Sequence, residues 1–426
     1  MKEKVKIAYI GLGRRGTGVL KECFAKMADV EISFLCDISE ENMKIAAEFL
    51  CEEGRPMPRL TTNYREAVSA ADIDATVIMT SWESHFEIAM ASMYAGKYTA
   101  IEVGIANDIS ECYKLIEAHE ATGAPLMMLE NICYGRREMA TLRMVKEGLF
   151  GEVVHCAGAY RHYLNDGVLF KKQKDGEMFV DHFRLSEFGS RCGELYPTHA
   201  FGPISKILSL GRGNRLVSLS SHASPAKGVA SYIRDHVPAD IPVHGLCFRL
   251  GDIVNTVLHC SGGETILLTL DMTLPRPYRS RSFEVRGTKG CCIESCREKA
   301  TYFLEGMKEG VFDNEQDFFE KYEHPLHREY QKGGVIGPHD GADYLACRAF
   351  IEAVKMGTDT PINAYDTVAW MAIGPLSEES IAKGGAPVTF PDFTKGKWMT
   401  PGEPLQGKYS LDIICEDLNT PLFPCE

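Results

Sequence analysis

The segment that most constrains the fold of this chain is residues 5–37. A run rich in β-branched residues, VKIAYI, leads into Gly11-Leu12-Gly13-Arg14-Arg15-Gly16, and a helical stretch then leads into EISFLC and Asp37. A strand that enters GxGxxG, followed by a helix and a second strand that ends at an acidic residue, is the pattern of a dinucleotide-binding unit. The segment therefore predicts a Rossmann domain at the start of the chain.

Each glycine of this motif has a steric reason. Gly11 permits the tight turn, Gly13 lets the backbone approach a pyrophosphate, and Gly16 lets the helix pack close to the strand. The pyrophosphate is expected on the helix N-terminus, where free N–H groups and the helix dipole favour an anion. Asp37 is expected to accept hydrogen bonds from the ribose hydroxyls and to repel a 2′-phosphate, which favours NAD over NADP. Arg14 and Arg15 of the motif weaken this preference for NAD over NADP.

The length and charge of the chain restrict its class. A dinucleotide unit accounts for only part of 426 residues, so a second domain is required. With 46 basic and 59 acidic residues the net charge is −13, which disfavours nucleic acid as a partner. No apolar run approaches the roughly eighteen residues that a membrane span needs, so no membrane partner is expected.

The N-terminal sequence and the cysteines bear on the compartment. MKEKVKIAYIGLG enters the first predicted strand directly, which leaves no room for a secretory leader. We therefore expect a cytoplasmic protein, although a sequence trimmed of its leader would look the same. The fifteen cysteines include no CxxC pair, and the chain contains no HExxH motif. They predict mostly buried free thiols and no metal site.

Strands and helices alternate as far as residue 131. Helices are predicted at 42–50, from 64, at 85–95 and at 109–122, and strands near 60 and at 75–80, 97–102 and 125–131. This alternation implies an α/β fold with a parallel sheet and right-handed crossovers. Ligands bind at the carboxyl ends of such strands. Here these ends are Gly11, Asp37 and residues 80–85, 102–104 and 130–131.

The sequence pattern changes after a bridging helix predicted at 137–148. The segments VVHCAGAY, RLVSLSSH, IVNTVLHC, TILLTLDM and SFEVRG alternate apolar and polar residues, which predicts an open, mostly antiparallel sheet with one covered face. Residues 164–193 are predicted to be loop-rich, and DYLACRAFIEAV and AYDTVAWMAIGPLSEESIA are predicted to be helices. We divide the chain into a Rossmann domain, 1–135, and an α+β domain, 136–426, whose last helices pack back on the first domain.

Motifs along nearly the whole chain resemble a known enzyme family. They are TSWESH at 80–85, IEV at 101–103, LEN at 129–131, YGR at 134–136, GEVVHCAGAYRH at 151–162, GELYPTHAFGP at 193–203, LPRPY at 274–278, RGTKG at 286–290, HPLHREY at 324–330, PHDGADY at 338–344 and VTFPDFTKGKW at 388–398. The N-terminal layout resembles the glucose-fructose oxidoreductase and inositol dehydrogenase family. Within it, the chain is similar to glycoside hydrolase family 109, the NAD-dependent α-N-acetylgalactosaminidases and their relatives.

The resemblance implies an open sheet that covers the nicotinamide, and it implies specific site residues. Together with the glycine motif, it implies NAD contacts at Gly11, Gly13, Arg14, Arg15, Gly16, Asp37, Ser81, Trp82, His85, Glu102, Val103 and Asn131. It implies a sugar site formed by Tyr160, His162, Arg184, Tyr196, Pro197, Thr198, His199 and Tyr278, with His339 as a further candidate.

The chain also departs from the wider family in two places. Dehydrogenases of that family usually carry Glu-Lys-Pro after the fifth strand, with the lysine serving alcohol oxidation, whereas here Val103 and Gly104 follow Glu102. This difference counts against a plain sugar dehydrogenase, and the hydrolase branch shares it. Residues 164–193 match poorly, and this segment is expected to hold residues that select the sugar.

A conventional glycosidase needs two carboxylates that flank the scissile bond, but an NAD-dependent one can work by another route. Bound NAD takes a hydride from C3 of the sugar, and the resulting ketone acidifies the C2 proton. A base removes that proton, the aglycone leaves from C1, water adds to the enone, and the hydride returns. Oxidation and reduction cancel, so the cofactor is expected to stay bound.

Such a route needs groups that exchange protons and donors that stabilise an enolate. Histidine and tyrosine suit both tasks near neutral pH. We predict His199 as the leading base at C3 or C2 and Arg184 as a substrate anchor. The residues predicted to orient substrate or transfer protons are Tyr196, Tyr278 and His339.

Several of these residues also fit purely structural roles. Tyr160 and His162 lie two apart on a predicted strand, so they share a face that is either the site or the core. Pro197 fits the first turn of a helix, where it would help to orient the following histidine. Trp82 is either a core aromatic or, in a loop at a strand end, a neighbour of the nicotinamide. His339 fits a helix cap equally well.

Two rival functions remain open at this stage. One is an NAD-dependent sugar or inositol dehydrogenase that releases NADH, and the other is a non-catalytic regulator that binds sugar and NAD. In all three cases the partner is a small carbohydrate or glycoside. A homo-oligomer is expected, because the open sheets of the resembled family commonly pair.

Overall fold

The computed structural model describes residues 2–174, 176–295 and 299–417 and the backbone of residues 423–424. Its first part is a parallel sheet with strand order β3-β2-β1-β4-β5-β6. The strands are β1 (Val5–Ile10), β2 (Val30–Cys36), β3 (Arg59–Thr61), β4 (Ala75–Ile78), β5 (Tyr98–Ile101) and β6 (Leu126–Met128). The intervening helices are α1 (Arg14–Glu22), α2 (Glu40–Glu52), α3 (Tyr64–Ser69), α4 (Trp82–Tyr94) and α5 (Ile109–Thr122). The predicted Rossmann fold is confirmed.

Burial explains why these short runs form strands. Every residue of β4 and of β6 is buried, as expected for a parallel sheet that is covered by helices on both faces. Three of the helices begin at side chains that accept a hydrogen bond from a backbone N–H of the first turn, namely Ser39, Asn63 and Asp108. The carboxyl ends of the strands therefore lie along one edge, with the helix N-termini beside them.

The second part of the chain forms an eight-stranded sheet within the described residues, in the order β15-β14-β13-β7-β12-β11-β10-β16. Its strands are β7 (Val153–Arg161), β10 (Leu216–Ala223), β11 (Ile253–Cys260), β12 (Thr265–Asp271), β13 (Glu284–Gly287), β14 (Gly290–Glu294), β15 (Ala300–Leu304) and β16 (Val388–Thr389). Neighbouring strands are antiparallel except β7 and β12, which are parallel. The predicted open, mostly antiparallel sheet is confirmed.

Helices cover one face of this second sheet. Helix α6 (Arg136–Lys146) joins the two sheets, and α8 (Thr198–Ile207) packs on β7 so closely that a Cβ on Gly158 would lie 2.7 Å from the Cβ of Ala200. The opposite face carries the exposed apolar side chain of Val257 on β11. Assembly of the chain into a homo-oligomer stays a prediction.

Residues 164–193, which were predicted to be loop-rich, contain more regular structure than that pattern indicates. This segment contains the hairpin β8 (Phe170–Lys172) and β9 (Met178–Val180) and helix α7 (His182–Ser190). Its sequence is polar and lacks a clear period, but Leu169, Phe170 and Phe188 are buried and anchor it. Tertiary packing therefore stabilises elements that the local pattern does not indicate.

The remaining helices close the structure. They are α9 (Gly228–His236), α10 (Glu315–Tyr322), α11 (Pro325–Gly333), α12 (Ala342–Met356) and α13 (Ala364–Ala382), and a short pair, β17 (Leu405–Gln406) and β18 (Phe423–Pro424), follows. The C-terminal helices contact the first sheet, since the Thr367 hydroxyl accepts a hydrogen bond from the Met128 N–H at 3.0 Å and Arg348 pairs with Asp29. No helix in the described ranges combines the length and hydropathy of a membrane span.

Candidate active site

The glycine loop between β1 and α1 is tightly packed at two of its three glycines. Gly11 has φ of +99°, and a Cβ at this residue would lie 2.6 Å from the backbone carbon of Met79. A Cβ at Gly16 would lie 2.2 Å from the carbonyl oxygen of Gly11. Neither position accepts a side chain without a backbone shift. The sharp turn and the close packing of helix and strand are confirmed.

The third glycine faces open space, and this space fits a dinucleotide. No atom lies within 4 Å of the position of a Cβ on Gly13, which is the N-cap of α1 and supplies no side-chain cap. The free N–H groups of the first turn are therefore available to a diphosphate. Asp37 follows β2 directly, and its carboxylate accepts hydrogen bonds from the backbone N–H groups of Leu12 and Ser39. Each oxygen keeps a lone pair that can accept from a ribose hydroxyl.

Trp82 forms a wall of the site instead of lying in a loop. Helix α4 begins at Trp82 itself, earlier than predicted, and Ser81 occupies its N-cap position. The Trp82 indole N–H donates to the Val103 carbonyl at 3.1 Å. Its ring lies edge-on to Phe183, with centroids 5.4 Å apart, and tilted against Tyr196 at 6.1 Å. Val103 is also buried, so both residues are packed at the carboxyl ends of β4 and β5.

His85 stabilises the loop that follows β4. Its side chain is buried, and its Nε2 lies 3.0 Å from the carbonyl oxygen of Thr80. Burial lowers the pKa of His85 to about 4, so the imidazole is neutral at pH 7. This position indicates that His85 holds the loop in place, and its contact with a cofactor stays a prediction.

The neutral state of His85 predicts a pH dependence of stability. The folded pKa of about 4 lies below the ordinary value of 6.5, so this contribution is complete above pH 6.5 and is lost as the pH falls toward 4. Near pH 5 the loss amounts to about 2 kcal/mol. We expect the unfolding free energy, measured by denaturant titration between pH 7.5 and 5, to fall less steeply in His85→Gln than in the parent protein. Equal slopes would contradict this assignment, and the exposed His259→Gln variant is the control.

The carboxylate of Asp343, on α12, joins three parts of the cofactor site. Its Oδ1 accepts from Arg15 Nη2 and Asn131 Nδ2, both at 2.7 Å. Its Oδ2 accepts from Arg15 Nη1 at 3.0 Å and contacts His339 Nδ1 at 2.8 Å. Arg15 Nε in turn donates to Glu102 Oε1 at 3.4 Å. The carboxylate thus links the glycine loop, the end of β6 and the C-terminal helices.

The charges of this network are not all balanced internally. Burial alone would raise the pKa of Asp343, but hydrogen bonds from His339 and Arg15 hold it well below its usual range. Burial raises the pKa of Glu102, and Arg15 opposes that rise. The buried Oε2 of Glu102 has no hydrogen-bond partner within the part of the chain that the structure describes. An acceptor of this kind beside the glycine loop is free for a donor on a bound ligand.

Four predicted sugar-site residues form one aromatic cluster. Tyr160 and His162 on β7 are stacked, with ring centroids 4.2 Å apart and planes 4° from parallel. The ring centroid of Tyr196 lies 4.1 Å from that of Tyr160, and the ring centroid of His199 lies 5.0 Å from that of Tyr196. The tertiary structure therefore brings β7 and the start of α8 together, as expected if these side chains share a site.

A buried carboxylate orients His199. Glu130 follows β6 and is 0% exposed, and its two oxygens lie 2.8 and 3.0 Å from Nδ1 of His199. Oε1 also accepts the backbone N–H of Ile132. A carboxylate is an acceptor, so Nδ1 of His199 carries the proton and Nε2 presents a lone pair when the ring is neutral. This arrangement makes Nε2 a base of fixed direction.

The surroundings of the cluster are cationic. Burial lowers the pKa of His162 to about 3, with further contributions from His199 and Arg279. Burial raises the pKa of Tyr196 far above its ordinary value, so its hydroxyl stays protonated. Arg184, at the start of α7, pairs with Asp181 at 2.7 Å. Such a site favours neutral donors and negative charge on a ligand.

The other predicted sugar-site residues occupy different positions. Pro197 is the N-cap of α8 and Thr198 is its first residue. Both are buried, so they help to hold the start of α8 in place. Tyr278 is partly exposed on the loop after β12, and its ring lies 5.9 Å from the guanidinium of Arg276. His339 is half exposed and contacts Asp343. The structure does not join Tyr278 to the aromatic cluster by any contact described.

Two important residues were not predicted as site residues. Glu130 stands at the carboxyl end of a parallel strand, and this position was the available signal. Asp343 lies in PHDGADY, where the histidine drew attention instead. Within the described ranges, no group of three or more His, Cys, Asp or Glu side chains is arranged to hold a metal ion.

The fold and this site define a class of protein: a two-domain NAD-binding oxidoreductase fold whose second sheet faces the dinucleotide loop. Residues 5–130 match the family described as "Oxidoreductase family, NAD-binding Rossmann fold". Levoglucosan dehydrogenase, solved with NADH and levoglucosan, has the same fold, with a TM-score of 0.68 and 18% identity over 91% of this chain and 100% of that chain.

Residues 134–400 match "Glycosyl hydrolase 109, C-terminal domain". An α-N-acetylgalactosaminidase of Tannerella forsythia is 36% identical over 413 residues, which cover 93% of this chain and 87% of the relative. A glycosyl hydrolase family 109 protein of Stenotrophomonas maltophilia is also 36% identical, over 93% of this chain and 90% of the relative. The chain belongs to the glycosyl hydrolase 109 family, whose members are glycosidases built on an oxidoreductase fold.

Proposed function

We propose that this protein hydrolyses glycosides through a transient C3 ketone, elimination across C1 and C2, water addition and re-reduction. The observation that carries this proposal is the buried pair of Glu130 and His199, which lies at the same sheet edge as the glycine loop. When bound, NAD supplies a reversible hydride acceptor for C3, with no net redox change. The remaining chemistry falls to side chains of this chain.

His199 is the proposed base. Its Nδ1 proton is donated to Glu130, so Nε2 accepts a proton from the C3 hydroxyl or from C2 of the sugar. The imidazolium that forms is stabilised by the adjacent carboxylate, as in other carboxylate–histidine pairs. Glu130 is therefore a positioning residue that acts through His199.

Neutral phenols and cations are proposed to stabilise the negative charge that develops. Burial raises the pKa values of Tyr160 and Tyr196, so both keep a hydroxyl proton to donate to an enolate or leaving oxygen. Arg184 and Arg15 add positive charge near these rings. Tyr278 and His339 stay candidates for substrate orientation from the rim.

Two features favour this route over its alternatives. The carboxylates of Glu130 and Glu102 are engaged with His199 and Arg15, so they are not a free pair that flanks a glycosidic bond. Val103 is 2% exposed, and a Cβ on Gly104 would lie 2.7 Å from the Trp82 ring. The loop after β5 therefore offers no group for alcohol oxidation of the dehydrogenase kind.

The test is a screen of aryl α- and β-glycosides with the protein as purified and no added nucleotide. The α-N-acetylgalactosaminide is the first substrate, because the Tannerella forsythia relative is named for that activity. We expect many turnovers of phenol release per protein, with no accumulation of free NADH. Stoichiometric NADH without phenol would instead identify a dehydrogenase, and binding without turnover would identify a regulator.

The same reaction in D₂O tests the elimination step. Removal of the C2 proton by His199 and its later return predict solvent deuterium at C2 of the released sugar. The label is measured by NMR or mass spectrometry of the product. Hydrolysis without deuterium at C2 would exclude elimination and the proposed role of the base.

A further inference from the structure

The β8–β9 hairpin reaches from the second domain to the glycine loop of the first. Arg14, the first residue of α1, lies with its Nη1 3.5 Å from the carbonyl oxygen of Gly167, at the base of the hairpin. Between them is a cavity of about 390 Å³, lined by Arg14, Lys171, Lys172, Gln173, Lys174 and Phe179. Residues of both domains thus line an open, basic cavity beside the N-terminus of α1.

The base of the hairpin is fixed and its outer part is exposed. Phe170 is buried and stacks on Tyr232, with ring centroids 5.6 Å apart. The backbone N–H of Asp181 donates to the carbonyl oxygen of Leu169 at 2.8 Å and closes the hairpin. The lysines beyond this anchor are exposed. The hairpin therefore holds its cations near the glycine loop without burying them.

The positive charge of this cavity favours the binding of an anion. Across the described residues, none of Lys171, Lys172 and Lys174 forms an ion pair, although the chain carries a net charge of −13. The described acidic residues near these lysines along the chain are Asp166, before the hairpin, and Glu177, within it, and Asp175 lies outside the described residues. Several cations beside one another repel unless a ligand neutralises them.

We propose that the hairpin is a cationic strap for the diphosphate of the dinucleotide. Lys171, Lys172 and Lys174 on the strap line one cavity with Arg14, and Arg14 follows Gly13 directly at the start of α1, where free N–H groups also favour an anion. This inference rests on the proposed function, because a cofactor that returns its hydride to the sugar in each cycle is used again and gains from slow release.

The test measures retention of the cofactor directly. Purified protein that carries its nucleotide is chased with excess ADP-ribose, and the release rate of NAD is followed by chromatography at low and high salt. We expect the variant K171Q/K172Q/K174Q to release NAD about tenfold faster or more at low salt, with a smaller salt dependence. The control K44Q/K308Q/K332Q removes three exposed lysines elsewhere and is expected to match the parent protein.

A second readout is limited proteolysis, which does not use the release rate of NAD. Trypsin cleaves after exposed lysines, so NAD and ADP-ribose are expected to protect the hairpin from cleavage, whereas adenosine and nicotinamide, which lack the diphosphate, are not. Parent-like release and unprotected cleavage in a protein that binds NAD would overturn the strap and leave the proposed function intact. A parent protein that binds no NAD would remove both proposals together.

Discussion

Replacement of His199 by alanine is expected to lower kcat on an aryl glycoside by about 10²–10⁴-fold, while the protein still carries NAD. The magnitude is that of a positioned general base. The variant loses the nitrogen that accepts the sugar proton, but the glycine loop and Asp37 are untouched. The measurement is steady-state phenol release, together with the nucleotide content of each preparation.

Two further variants serve as a control for this prediction and as a test of the partner carboxylate. His259→Ala removes an exposed histidine from β11 and is expected to leave kcat unchanged. Glu130→Gln keeps the size of the side chain but removes the charge, so kcat is expected to fall less than in His199→Ala. Full activity of His199→Ala would exclude it as the base.

Replacement of Gly13 by valine is expected to weaken NAD binding by about 10²-fold or more without unfolding the protein. The residue has φ of −63°, which any residue can adopt, and no atom lies within 4 Å of its Cβ position. The added side chain therefore meets no protein atom, yet it fills the space in which we expect the diphosphate to lie. Nucleotide titration and a thermal melt measure the two effects separately.

Gly18 supplies the matched control for this experiment. It lies further along α1, and its Cβ position is equally free of neighbours. Gly18→Ala is expected to leave NAD binding unchanged and to raise stability by up to about 1 kcal/mol, because alanine favours the helix. Parent-like NAD affinity in Gly13→Val would show that the diphosphate does not use this space.

Much of the fold could be predicted because its signals are local. The glycine turn, the alternation of strand and helix as far as β6, and the period of β7, β11 and β12 each depend on neighbouring residues. The hairpin and helix within residues 164–193 could not be predicted in this way, because they depend on the burial of Phe170 and Phe188 by other segments. Trp82 was misplaced for a related reason, since its indole bonds to Val103 across the strand ends.

The sequence by itself determined the dinucleotide loop and the order of the two sheets, and its resemblance to a known family led to the prediction of Tyr160, Tyr196 and His199 as site residues. Only the tertiary structure decided which charges meet. Glu130 and His199 are 69 positions apart, and Arg15 and Asp343 are 328 positions apart. Periodicity records which face of an element is buried, but an ion pair between domains depends on how those faces pack. The partner that gives His199 a direction therefore became visible only in the folded chain.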